Sequence, residues 1–311
     1  MNKFKFSLDR SSKKFLCPSC SKRTFVKYID NMSNNYLDSH IGRCDRESKC
    51  GYHKGPKGNL TLVDVSELSK PIITPSFHDD SVIKTYCNNY ENNNFVKYLK
   101  TRFSKVQIEK LIKRYRLGSS NYWEGGTVFW QIDEFMRIKA GKIMLYNGVT
   151  GSRVKKPYSH ITWMHKILEK KDFDSDCSQI LTSNSKCNTN VIQNSSFVLQ
   201  QCLFGLHLLH EDEDKIIAVV EAEKTALVMD ILSPNYIWMA TGSKAGFKEK
   251  MLKPLKNRKV IAFPDKSCFE DWEHKSKILN KEGFNIISSD FLERVDLCDG
   301  DDLVDFIYKD Y

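Results

Sequence analysis

Two apolar runs in this chain each stop on a carboxylate. One reads Ile216-Ile217-Ala218-Val219-Val220-Glu221, the other Val260-Ile261-Ala262-Phe263-Pro264-Asp265. Both have the length and composition of buried parallel strands. In open α/β sheets ligands sit beyond the carboxyl ends of the strands, so Glu221 and Asp265 fall where a site belongs. Two acids delivered there can hold Mg²⁺ or Mn²⁺ against a phosphate, and Glu221 is equally placed for general acid–base work. Within Glu221-Ala222-Glu223-Lys224-Thr225, Glu223 reads as an acid favoured by a helix N-terminus, and Lys224 as a phosphate contact or a solvated helix face. Thr241-Gly242-Ser243-Lys244 follows a further strand. Gly242 allows close backbone approach, and the amides of the next helix attract phosphate, with Lys244 beside them. Lys266, next to Asp265, can neutralise phosphate charge. The run Asp299-Gly300-Asp301-Asp302-Leu303-Val304-Asp305 serves either as a helix cap or, through Asp301, Asp302 and Asp305, as further magnesium ligands; the two roles use the same residues.

A second constellation lies near the start. Cys17-Pro18-Ser19-Cys20 and Cys44…Cys50 are separated by 23 residues, with five between the second pair. Four thiolates around one tetrahedral zinc would fold a small domain lacking a core of its own. The wide second spacing leaves open that His40 or His53 replaces a cysteine. A four-ligand site of this kind keeps no open position, so the expected zinc is structural. The remaining cysteines show no pairing logic.

These residues must be positioned by several elements. The chain has 311 residues, 41% of them hydrophobic, which supports a packed core. Its net charge of +9 is uneven: residues 1–60 hold thirteen Lys and Arg against five Asp and Glu, residues 211–311 fifteen against twenty-one. A basic front suits a polyanion, an acidic back a metal site. No apolar run reaches membrane-spanning length and the first residues carry no signal-peptide core, so a cytoplasmic location and no membrane partner are expected. Four regions are expected: a zinc ribbon over 1–60, a linker and basic helical region over 61–118, a small subdomain with a polar insertion over 119–210, and a final domain over 211–311. Residues 79–117 have helical spacing, closed by Gly118-Ser119-Ser120-Asn121. Thr127–Asp133, Met136–Lys139 and Lys142–Tyr146 read as antiparallel strands, with Ala140-Gly141 a bulge or turn and Arg137, Lys139, Lys142, Arg153, Lys155 and Lys156 near the surface. From residue 215 a βαβ alternation predicts a parallel sheet with strands at 216–221, 236–241, 259–265 and 284–289, and helices near 223–232, 245–256, 269–282 and 301–309.

Taken in order, these pieces resemble the Toprim domain of bacterial primases, topoisomerases and related nucleases. In that family a Glu ends the first strand and a DxD motif ends the third. Glu221 and Asp265 match, while Ser267 stands in place of the second Asp. Asp302-Leu303-Val304-Asp305 resembles the DxxD of phage and plasmid primases. Cys202-Leu203-Phe204-Gly205-Leu206 is similar to a primase segment written YGL or FGL, and Gly126-Thr127-Val128-Phe129-Trp130 to the strand often reading GRxVFP. With a zinc ribbon in front, the order resembles DnaG-type primases and the zinc ribbon–Toprim proteins of bacterial mobile elements. The fold this implies is α+β and α/β: zinc ribbon, helical linker, antiparallel primase-core subdomain, and a Toprim domain with a parallel sheet.

The resemblance implies RNA-primer synthesis on single-stranded DNA from nucleoside triphosphates. Glu221, Asp265 and Asp302 would be catalytic, and Lys224, Gly242, Lys244, Lys266, Arg137 and Lys139 would contact phosphate or nucleic acid. Phe25, Tyr28 and Trp130 offer stacking surfaces, Trp130 being the better candidate for the core. No GxxxxGK[ST] motif is present, so a separate replicative helicase is the expected partner. The Ser267 departure leaves two other outcomes open: a non-catalytic DNA-binding replication or mobilisation factor, and a Toprim nuclease.

Overall fold

A computed structural model describes residues 5–11, 13–31, 33–46, 49–56, 74–170 and 197–309. Most of the expected linker and nearly all of the polar insertion lie outside the described residues. The chain divides into two compact units, Met1–Ile72 and Ile73–Tyr311.

The first unit is a four-stranded antiparallel ribbon of β1 (Phe6–Leu8), β2 (Phe25–Asp30), β3 (Gly42–Cys44) and β4 (His53–Lys54), in that order. Among the described residues its buried apolar side chains are few, the cluster Cys17, Phe25 and Cys44 with Val26 beside it in sequence. So little apolar area cannot hold a fold alone, which puts the weight on the cysteines. Gly42 is required by packing, because a Cβ there would lie 2.4 Å from the Phe25 ring.

The second unit opens with α1 (Ser81–Tyr86), α2 (Asn94–Lys100) and α3 (Lys105–Tyr115). The continuous helical spacing over 79–117 is thus cut into pieces. Asn93 caps α2 by accepting the Val96 amide, and Ser104 forms a capping box with Gln107 at α3. Next come β5 (Gly118–Ser120), β6 (Gly126–Ile132), β7 (Ile138–Met144) and β8 (Ile161–Trp163), an antiparallel sheet in chain order. Gly118-Ser119-Ser120 therefore does not end a helix; it pairs with β6. The two strands expected over 136–146 are one. Gly141 lies opposite Trp130, whose ring comes within 2.6 Å of where a Cβ would be, so the glycine makes room for indole rather than turning the chain. β6 alternates as a two-sided strand must. Val128, Trp130 and Ile132 pack in a small cluster on one face, while Phe129 joins the main core on the other.

The last third forms a parallel sheet of β9 (Ile217–Val220), β10 (Ile237–Ala240), β11 (Lys259–Ala262) and β12 (Asn285–Ser288), in the order β10-β9-β11-β12. Its helices are α4 (Glu223–Leu232), α5 (Glu249–Leu252), α6 (Phe269–Lys281) and α7 (Leu303–Tyr308). The helix expected over 245–256 is mostly 3-10 turns around the four-residue α5. Gly246 packs hard on Thr241, and Pro254 sits in the second 3-10 turn. Among the described residues no helix is long and apolar enough to cross a membrane.

One hydrophobic core runs under both sheets, joining Phe129, Met144 and Tyr146 to Leu203, Phe204 and the parallel strands. A polar tie fixes the same junction. Lys142 of β7 is not on the surface as its sequence suggests but 7% exposed. Its ammonium donates to both Glu223 oxygens at 2.9 and 3.2 Å and to the Gly242 carbonyl at 2.8 Å. Glu223, 2% exposed, is correspondingly an ion-pair partner across the junction rather than a simple helix-dipole acid. Removing one member strands the other in the core. Lys142→Met is expected to destabilise the second unit by about 3–5 kcal/mol, and the double change Lys142→Met with Glu223→Gln by clearly less; urea unfolding of the three proteins measures this.

Candidate active site

The zinc-type centre lies in the first unit. Among the described residues, Cys17, Cys20, Cys44 and Cys50 place their sulfurs within 4.8 Å of one another. Cys17 and Cys50 Sγ are 3.7 Å apart and Cys20 and Cys44 Sγ 4.0 Å. These are too long for disulfides and close to the roughly 3.8 Å edge of a tetrahedron with 2.3 Å Zn–S bonds. The set therefore fits one structural zinc ion. The Lys22 amide holds the Cys20 thiol down to about 6, and the Thr24 hydroxyl lowers that of Cys44, so both shift toward the thiolate that a metal needs. Burial raises that of Cys17. His53 instead stacks on Tyr28, 3.1 Å from its hydroxyl, and neither it nor His40 joins the cluster.

The acidic site lies in the second unit. The strand order reverses between β9 and β11: from β9 the chain steps out to β10, then crosses back to β11 on the other side. Such a switch point opens a crevice at the carboxyl ends of the two strands. Glu221 directly follows β9 and Asp265 lies three residues beyond β11. Both line a cavity of about 320 Å³, together with Asp302 and Asp305 of the α7 N-terminus. Lys142, Arg153, Lys155, Lys224 and Gly242 line the same cavity.

Charge inside this cavity is out of balance. Asp265 is pushed up to about 8 by burial and then by the neighbouring carboxylates of Glu221, Asp302 and Asp305. Glu221 is raised by burial, opposed by a hydrogen bond from the Lys244 backbone. Asp305 is raised by burial and by Asp302. Arg153 pulls Glu221 and Asp265 the other way without cancelling the effect. An all-oxygen donor set that resists ionisation suits a hard divalent cation. Glu221, Asp265 and Asp305 are the residues that would hold it. Among the described residues no three carboxylate oxygens here lie within 4.8 Å of one another, so the acids do not form a closed ligand cluster as the four cysteines do.

The other expected site residues are placed unevenly. Asp302 is the α7 cap: one oxygen accepts the amides of Val304 and Asp305, the other the Thr225 hydroxyl. Asp301 accepts the Cys298 amide and does not line the cavity. Lys266 donates to the carbonyls of Glu293 and Val295. Ser267 has φ 68° and donates to Asp299 at 2.5 Å. Lys244 is exposed outside the cavity lining, though its amide holds Glu221. Arg137 and Lys139 lie at the other end of β7, lining a separate hollow with Asp133 and Gln200. Lys224 does line the cavity with the acids, and beside it and the paired Lys142 stand Arg153 and Lys155. The trace of Arg153 and Lys155 in the sequence is the basic run just after Thr150-Gly151, whose glycine returns the chain at φ 68° against the Tyr98 ring.

The family model described as "Domain of unknown function (DUF6371)" matches residues 93–266, and one described as a zinc beta-ribbon finger matches residues 4–62. No curated protein matches the chain. Among solved structures, the primase fragment of the bacteriophage T7 primase-helicase protein is similar at 14% identity and a TM-score of 0.39, covering 92% of this chain and 91% of that one. The Aquifex aeolicus primase (zinc-binding and RNA polymerase domains) is similar at 12% identity and 0.36, covering 98% and 77%. Superpositions this loose carry no conclusion about this chain.

Two outcomes are expected. Stripping zinc with a strong chelator should unfold the first unit, read as loss of amide dispersion in its NMR spectrum, while the second unit keeps its own. For Asp265 the folded value lies above the unfolded one. Its contribution to stability is therefore full at low pH and lost as pH rises toward 8. With zinc saturating, the melting temperature of the magnesium-free protein should fall between pH 5.5 and 8.5. Mg²⁺ should restore it, more at pH 8.5 than at 6, and Asp265→Asn should remove both effects.

Proposed function

This chain belongs to the DUF6371 family, whose matched span carries both strand-end carboxylates, Glu221 and Asp265, and from that premise we propose a metal-dependent, primase-like nucleotidyltransferase. The observation that carries the reading is the pair of acids at the switch point between β9 and β11, facing Arg153 and Lys155 across one cavity. The resemblance of these motifs to the Toprim pattern, with a zinc ribbon ahead of it, supports the same reading. Bound Mg²⁺ or Mn²⁺ would lower the pKa of an attacking 3′-hydroxyl and neutralise phosphate charge. Glu221 and Asp265 would fix the ion on the rigid ends of paired strands. Arg153, Lys155 and Lys224 would bind and orient the triphosphate of an incoming nucleotide, while Lys142, occupied by Glu223 and Gly242, would hold the wall in place. Single-stranded DNA would be the template, a separate helicase the partner, and replication of a mobile element or phage the setting.

A second reading has its own observation. Ser267 replaces an acid and is tied to Asp299, and Asp302 spends both oxygens on a cap and a hydroxyl. A site short of ligands in this way suits a DNA-binding replication factor without catalysis.

Labelled nucleotide incorporation on single-stranded DNA with Mg²⁺ or Mn²⁺ separates them. The wild type should make short oligoribonucleotides, and Glu221→Ala and Asp265→Ala should each lose on the order of 100-fold or more, as removal of a metal ligand worth several kcal/mol requires. Metal-dependent cleavage of the DNA would instead identify a nuclease. No product under either metal, with salt-sensitive DNA binding intact, would leave the binding factor.

A further inference from the structure

The hairpin joining β6 and β7 is built with unusual care for a surface turn. Asp133, only 1% exposed, accepts the amides of Phe135 and Arg137 on one oxygen at 3.1 and 2.9 Å. Its other oxygen takes the Arg137 guanidinium at 2.8–2.9 Å. Met136 is held at φ 64°, a conformation that non-glycine residues adopt at a cost. What this scaffold displays is apolar. Phe135 is 67% exposed and Met136 42%, at positions where turn chemistry favours Gly, Asn or Asp. The Arg137 guanidinium lies 5.0 Å from the Phe135 ring centre and 4.6 Å from that of Phe77, itself 39% exposed. Two bare phenyl rings clasping one fixed guanidinium form a contiguous patch, not a lone surface hydrophobe.

The surroundings are cationic on both flanks. The hollow that Arg137 lines also carries Lys139, Lys250 and Lys253 against Asp133 and Glu134. A larger hollow of about 710 Å³, which Met136 lines, carries Lys110, Lys113, Arg114, Arg116 and Lys215 against Glu211 and Asp230. Of these acids, Asp133 is paired to Arg137, and Glu211 and Asp230 to Arg114. Exposed aromatic faces with surplus positive charge on either side match a strand of unpaired bases and phosphates. An apolar protein partner would not use the flanking charge.

We propose that this hairpin tip is a stacking platform for single-stranded nucleic acid, with a base on the outer face of Phe135 and the backbone running along the flanking lysines. β7 spans roughly 20 Å from this tip to the acidic cavity at its other end. The platform therefore holds a strand several nucleotides from the carboxylates and needs no chemistry there. It shares with the function proposed above only the nucleic acid.

The test is fluorescence anisotropy of labelled oligo-dT and oligo-rU with the full zinc-loaded chain. Phe135→Ala, an exposed position whose loss should leave the melting temperature unchanged, should weaken binding roughly tenfold. Phe135→Trp should retain or improve it. Lys250→Ala with Lys253→Ala should lower the salt slope by about 1.4 while leaving the ring contribution in place. A preference between the two oligomers would identify the natural strand as DNA or RNA, and either supports the platform. Wild-type binding with Phe135→Ala unchanged would overturn it. So would a Phe135 effect seen with an acidic peptide but not with either oligonucleotide. The magnesium-dependent gain in melting temperature, measured on the same proteins, reports the acidic site separately. Its loss with the Phe135 effect intact would count against the catalytic reading alone.

Discussion

The second unit is organised by one buried ammonium. Lys142 reaches from the antiparallel sheet to Glu223 at the head of α4 and to the carbonyl of Gly242, just beyond β10. Gly242 in turn donates its amide to the Glu221 carbonyl at 2.8 Å. A side chain at position 242 would be strained, since the backbone is held at φ 75° and its Cβ would press on Glu223 Oε1 at 3.0 Å. A charge pair this deep contributes little net stability, because desolvation offsets its attraction. Its effect is to select one docking of the two sheets: any other leaves an ammonium or a carboxylate stranded. The wall and floor of the acidic cavity follow from that choice.

That cavity shows why acids and cations are found together. Asp265 resists ionisation up to about 8, first because it is buried and then because the carboxylates of Glu221, Asp302 and Asp305 line the same 320 Å³ cavity. The fold tolerates this because the backbone fixes the acids independently: Glu221 and Asp265 by paired strands, Asp302 by its own capping box. Sites held this way against their own electrostatics are places where an ion or an anionic ligand has something to gain.

Much of this was legible in the residues. The βαβ alternation placed the parallel strands within three residues at each end; for β9 and β10 the reason is that strands buried on both faces are uninterrupted apolar runs. Cysteine spacing located the metal cluster, since four sulfurs at two knuckles have few other uses. The failures have physical causes. Helical periodicity over 79–117 could not show that Asn93 and Ser104 would cap and break the chain. Gly141 read as a turn because a glycine in a strand looks the same whether it bends the backbone or makes room for Trp130. Lys142 read as surface because burial of a lysine depends on a partner 81 residues away. Asp301, Asp302 and Asp305 looked equivalent in sequence, and only the fold shows that Asp302 and Asp305 cap α7 while also lining the cavity, whereas Asp301 stands outside it.

The short segment ahead of β9 has a consequence of its own. Phe204 exchanges two backbone hydrogen bonds with Ala240, at 2.9 and 3.0 Å, along the outer side of β10. Gly205 then turns the chain away at φ 83°, where a Cβ would strike the Trp238 carbonyl. One end of the β10 flank is therefore occupied by the chain's own backbone. At the opposite flank, where β12 ends the sheet, the Asn280 side chain takes the Ile286 amide and donates to its carbonyl at 2.9 and 2.8 Å, so lateral addition of a foreign strand, whether in a complex or in aggregation, meets an occupied position on either edge.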